Sequence, residues 1–140
     1  MRLLLDSSVL LAACGSDKGG SREVFRRAGA NGWVLLSTPY IVEEVVTNLP
    51  YVSQHAIGVW PNLERQLSLM DDVLTLDQVS IFESAKDRPI LFSALAWAEV
   101  LLTLDREDFG KLLGGTFYGL AILTPGMFLE AERARSPNSV

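Results

Sequence analysis

Five short runs of this chain are apolar almost throughout: residues 3–5, 33–36, 73–76, 100–104 and 120–123. A strand with one wet face alternates apolar and polar residues, so near-continuous runs of this length mark strands covered on both faces, the habit of parallel sheets. Stretches of helical period separate them at 21–30, 38–49, 52–70, 89–98 and 125–135. Strand and helix in steady alternation imply right-handed crossovers. The predicted fold is therefore α/β, three layers deep (α/β/α), around an open, mostly parallel five-stranded sheet.

Local signals agree. Thr38-Pro39 and Thr124-Pro125 each pair a capping hydroxyl with proline at the first helical position, and Pro61 is expected to break or kink the middle stretch. No internal repeat and no Pro/Gly/Ser linker divides the sequence, so 1–135 reads as one domain and 136–140 as a disordered tail.

Composition narrows the class. With 140 residues, 49% hydrophobic and 21% charged, there is material for one core and no disordered or low-complexity architecture. No apolar stretch approaches the ~20 residues that cross a bilayer, and Asp6 interrupts Leu3, Leu4 and Leu5 before a signal-peptide core could form. A cytoplasmic protein is expected. The lone Cys14 cannot make an internal disulfide, and its apolar neighbours predict an inert buried thiol. A net charge of −5 argues against a nucleic-acid partner, yet if four of the seventeen acids hold cations, the remaining thirteen nearly balance the twelve basic residues.

The residues that follow the apolar runs are Asp6, Ser37, Asp77, Asp105 and Thr124. Parallel strands put them all at one edge, and open α/β sheets bind ligands outside the carboxyl ends of their strands, where strand order reverses. Two carboxylates at ~4 Å repel by about 4 kcal/mol at an effective dielectric near 20, so a cluster of them takes up protons or divalent cations. Oxygen-rich acidic sites suit Mg²⁺ or Mn²⁺. Taken singly, each strand-end Asp is equally explained as a turn former or helix cap.

Several segments carry a further resemblance: LLLDSSVLL near the N-terminus, TPYIVEEVVTNL after the second run, KDRPILFSALAWAEVLLTLDREDF, and the closing LAILTPGMFLE. In order and spacing, nearly the whole chain resembles the PIN domain. That resemblance implies a metal-dependent ribonuclease fold, frequent among VapC-type toxins of toxin-antitoxin pairs, in which Asp6, Glu44, Asp87 and Asp105 hold Mg²⁺ or Mn²⁺ and carry out phosphodiester hydrolysis. Asp108 stands where related sequences often have a further acid; its ordinary reading is an exposed helix-start acid. Leu104 departs from the family, which commonly has glycine there.

The wheel does not choose between Glu43 and Glu44, which flank the Ile41/Val42/Val45/Val46/Leu49 face equally. The family spacing from the Thr-Pro pair ends at Glu44, and Asn48 lies one turn further along as an accessory polar group. Asp87 precedes Arg88-Pro89, where a helix should begin, so it also reads as a helix-dipole acid. Ser7 and Ser8 are candidates to bind a metal water or phosphate oxygen, or to cap a helix; Thr103 is a similar hydroxyl just before Asp105.

A metal-assisted mechanism needs no side-chain nucleophile, which suits a chain whose single histidine, His55, is remote from the motifs. Lys86, Arg88 and Arg106 neighbour the proposed ligands and are the candidates for RNA contact, against a plain reading as solvated charge. Arg22, Arg26 and Arg27 form a basic flank suited to an acidic partner segment, as antitoxins supply in VapC-type pairs. The aromatic residues, Trp33, Trp60, Trp97, Phe82, Phe92, Phe117 and Tyr118, fit core packing better than base stacking. PIN-like proteins are commonly homodimers. Receiver and haloacid-dehalogenase-type sites are disfavoured, since Thr124-Pro125 replaces the former's lysine and Ser8 the latter's second aspartate. The competing reading is a PIN fold without catalysis, serving as an interaction or scaffold module.

Overall fold

Leu3, Leu4 and Leu5 are all fully buried, although consecutive strand residues face opposite sides of their sheet. Cover on both faces follows directly. The structure, a computed structural model, describes residues 1–73 and 88–135, without the side chains of Arg88 and Pro89. Its strands are β1 (Arg2–Leu5), β2 (Val34–Ser37), β3 (Ser68–Leu69), β4 (Val100–Leu102), β5 (Gly115–Phe117) and β6 (Leu120–Leu123). The helices are α1 (Ser7–Gly15), α2 (Gly20–Asn31), α3 (Pro39–Asn48), α4 (Gln54–Glu64), α5 (Arg88–Trp97), α6 (Arg106–Phe109) and α7 (Pro125–Arg135), with a 3-10 turn at Leu49–Tyr51.

The chain is α/β, with one mixed, mostly parallel open sheet in the order β3-β2-β1-β4-β6-β5. From β1 the chain steps outward through β2 to β3, then returns to lay β4 on the other side of β1. Strand order reverses between β1 and β4, where Leu5 stands opposite Leu102. Leu101 and Leu102 are as deeply buried as the β1 leucines and Val100 is nearly so, so the central pair is covered on both sides.

Three features correct the sequence reading. The sheet has six strands among the described residues, not five: β5 is an additional edge strand, antiparallel to β6. Its sequence, between Gly114 and Gly119, reads as a loop, and the hairpin turns on Tyr118 (φ 50°) and Gly119 (φ 83°), the paired positive φ of a type I′ turn. Second, α1 went unrecognised because Ser7–Gly15 is nearly uniform in hydropathy and shows no helical period. That uniformity reflects its position, packed against α2, α3 and α4, a setting in which a helix has little need of a polar stripe. Third, α4 runs through Pro61 without the break that is one of the two outcomes expected there, and ends three residues beyond it.

The strand that pairs with β2 on its outer side is Ser68–Leu69, within the stretch read as broken helix. The expected strand at 73–76 lies outside the described residues apart from Val73, whose N–H donates to Ser93 Oγ at 2.9 Å. Asp77, Phe82 and the tail 136–140 also lie outside them. Both proline-linked caps form: Thr38 Oγ1 accepts from the Ile41 N–H and Thr124 Oγ1 from the Met127 N–H, at 3.4 and 3.1 Å. Trp33, Trp60 and Phe117 are buried, and Trp33 meets Phe128 edge-on with ring centroids 4.8 Å apart. Among the described residues, no helix is long and apolar enough to cross a membrane.

Candidate functional site

Asp6 follows β1 at the reversal point and is 3% exposed. Its backbone N–H continues the ladder, donating to the Leu102 carbonyl at 3.0 Å, and its side chain caps α1. Oδ1 accepts the Ser7 N–H at 2.8 Å, with the Ser7 hydroxyl at 3.5 Å. Oδ2 accepts from two hydroxyls, Ser8 Oγ at 2.8 Å and Thr103 Oγ1 at 2.7 Å. Neither serine is therefore the cap; both serve the carboxylate that is. Two well-placed donors fill the lone pairs of Oδ2, while Oδ1 has one short contact and one long one.

Thr103 ties this carboxylate to the next strand. Its buried hydroxyl donates to Asp6 and accepts the Asp105 N–H at 3.0 Å, while Ser8 Oγ accepts the Leu104 N–H at 3.0 Å. Asp105 caps α6, its Oδ1 accepting the Asp108 N–H at 2.9 Å. Burial pushes the Asp6 carboxyl above its ordinary range; the three hydrogen bonds pull it back in part, and the negative charge of Asp105 raises it again. A carboxylate that is costly to ionise beside a second one is a local demand for positive charge.

Asp108 is half-buried in the first turn of α6, and Arg106 is exposed. On α3, Glu43 is exposed, whereas Glu44 is half-buried with Oε1 shielded from solvent. The backbone thus separates two acids that the helical wheel left equivalent. Asn48 directs its side-chain amide to the backbone carbonyl of Glu44 at 2.8 Å, bracing the helix and not the carboxylate. Asp87 and Lys86 lie outside the described residues, as does the side chain of Arg88. Among the described residues no three His, Cys, Asp or Glu side chains are grouped to hold a metal ion; Asp6 and Asp105 stand as a pair.

One acid at this edge escaped the sequence reading. Asp72 Oδ2 accepts the Tyr40 N–H at 3.0 Å in the first turn of α3, while Oδ1 is buried without a partner among the described residues. Placing a strand at 73–76 assigned Asp71 and Asp72 to its starting end. With β3 at Ser68–Leu69 parallel to β2, both residues follow a strand and belong to the carboxyl edge. Ser37, at the end of β2, also has a buried hydroxyl without a described partner. Elsewhere His55 is exposed, and Cys14 is a buried free thiol pushed up to about 11 by burial.

No protein-family model matches the chain, and no curated protein matches it.

Proposed function

We propose that this chain is a Mg²⁺- or Mn²⁺-dependent endoribonuclease with a PIN-like, three-layer fold. Asp6, Glu44, Asp87 and Asp105 would hold the cation, with Asp108 as an accessory acid. The observation that carries this reading is the buried Asp6 carboxylate at the strand-order reversal, joined through Thr103 to the turn that bears Asp105. Its donor chemistry fits: hard carboxylate oxygens, with the second contact on Asp6 Oδ1 long enough to yield to a cation, and a like-charge neighbour that a divalent ion would neutralise.

When bound, such a cation supplies the charge stabilisation and the lowered water pKa that phosphodiester hydrolysis requires. The chain's own residues do the positioning. Ser7, Ser8 and Thr103 fix the rotamer of Asp6, so its acceptor oxygen is preorganised before any ligand arrives. Arg106, together with Lys86 and Arg88, would receive the RNA backbone. In a cell, the PIN resemblance suggests the toxin of a type II pair, restrained by an antitoxin and acting as a homodimer in the cytoplasm.

The test is incubation of single-stranded RNA with the purified chain, with Mn²⁺ or with EDTA, beside Asp6→Asn and Asp105→Asn. The expected result is cleavage that requires the cation and both carboxylates. Cation-dependent thermal stabilisation without cleavage would identify a non-catalytic interaction module. Cleavage that persists in both variants would remove this site from the reaction.

A further inference from the structure

A pocket of about 420 Å³ opens between α2 and α4, lined by Arg22, Phe25 and Arg26 on one side and Gly58, Val59 and Leu63 on the other. Its volume falls in the range of sites for small organic molecules. Phe25 and Leu63 are almost fully buried and give it an apolar wall. A Cβ built on Gly58 would meet nothing within 4 Å, so the α4 side is open at that residue.

The cations along α2 are unequally matched. Arg26 places Nη1 on Glu23 Oε1 at 3.0 Å and Nη2 on the Asp17 carbonyl, while Arg27 Nε meets Glu23 Oε2 at 2.8 Å. One carboxylate therefore serves two guanidinium groups. Arg22 has no acid partner among the described residues. Its Nε is held by the Ala13 carbonyl at 2.7 Å, which fixes the guanidinium plane, and its Nη2 is buried with no described acceptor. A buried donor left unmatched carries its whole desolvation penalty, so the protein's own acceptors leave this guanidinium under-matched beside the pocket.

We propose that this pocket binds a small organic carboxylate, its acid group received by the Arg22 guanidinium and its apolar body lying against Phe25, Val59 and Leu63. The apolar wall favours such a ligand over a bare inorganic anion, which would leave that wall uncovered and lose more hydration on burial. This site is independent of the carboxylate pair at the sheet edge.

Phenylacetate is a suitable probe, titrated into the full chain and followed by amide chemical shifts. Saturable shifts at Gly58, Val59 and Leu63 are expected, with a Kd of about 1 mM. Phenylacetamide, of the same shape but neutral, should bind about tenfold more weakly, as should phenylacetate to Arg22→Gln, because each removes a charge-assisted contact. Inorganic phosphate should bind more weakly than phenylacetate. Gly58→Leu keeps Arg22, fills the open side and replaces a poor helix former with a good one, so it should fold and abolish binding. The proposal is overturned by the absence of saturable shifts at about 20 mM, about twentyfold above the expected Kd, by equal binding of the amide or of phosphate, or by unchanged binding to Gly58→Leu.

Discussion

Thr103 Oγ1 donates to Asp6 Oδ2 at 2.7 Å and accepts the backbone N–H of Asp105 at 3.0 Å. The hydroxyl thus reaches a carboxylate 97 positions away from its own residue and couples the conformations of the two acids. Thr103→Val keeps the shape and removes both bonds. Hydrogen bonds to charged groups contribute about 1.5–3 kcal/mol, so the valine variant should lose stability of that order in urea melts, while Thr103→Ser recovers most of it. A valine variant as stable as the parent would show that the bridge contributes nothing.

The raised carboxyl of Asp6 makes stability depend on pH. Because the folded state binds this proton more tightly than the unfolded chain, Asp6 should lower stability as pH rises from its ordinary value of 3.8 through its folded value. Asp6→Asn removes that contribution. The variant should therefore gain relative to the parent as the pH rises across this window, as thermal melts at a series of pH values would reveal. A constant difference between them would contradict the raised value.

Divalent cations should act in the opposite sense. If Mn²⁺ is held between Asp6 and Asp105, a concentration about 100-fold above its Kd stabilises by about 2.7 kcal/mol and raises Tm by roughly 5–11 °C. Neither Asp6→Asn nor Asp105→Asn should show that increment. Equal stabilisation of both variants would place the ion elsewhere.

On α3 the two adjacent acids should behave differently. Glu44→Gln is expected to abolish cation-dependent RNA cleavage, and Glu43→Gln to leave it near the parental rate, since only Glu44 is shielded. Single-turnover assays on both variants decide the matter, and the reverse ranking would exchange their roles.

Cys14 offers a readout of opening. Fully buried and with its thiol pushed up to about 11, it should resist iodoacetamide at pH 8 and react once urea unfolds the chain. Rapid alkylation of the native protein would contradict the packing of α1.

The parts of the fold legible beforehand were those in which local chemistry and tertiary position agree. Apolar runs ending in a carboxylate placed β1 and β4, and the Thr-Pro pairs marked the starts of α3 and α7. Elements whose pattern is dictated by neighbours were not legible. Helix α1 has no polar stripe because other helices surround it, and β5 is only three residues set between glycines, too short to read as a strand until β6 supplies its hydrogen bonds. The same holds for the candidate site. Asp6 and Asp105 could be anticipated from strand ends, but Asp72 could not, because its edge depends on where β3 lies. The shared service of Ser8 and Thr103 to one buried carboxylate emerges only once β1 and β4 are side by side.

Among the described residues, the two outermost strands of the sheet are also its shortest together with β4: β3 has two residues and β5 three. A foreign segment docking along either rim would find room for only a few ladder hydrogen bonds, too little to template a growing stack. By keeping its borders brief, the architecture restrains runaway strand addition between molecules while leaving the four-residue interior strands β1, β2 and β6 to set the register.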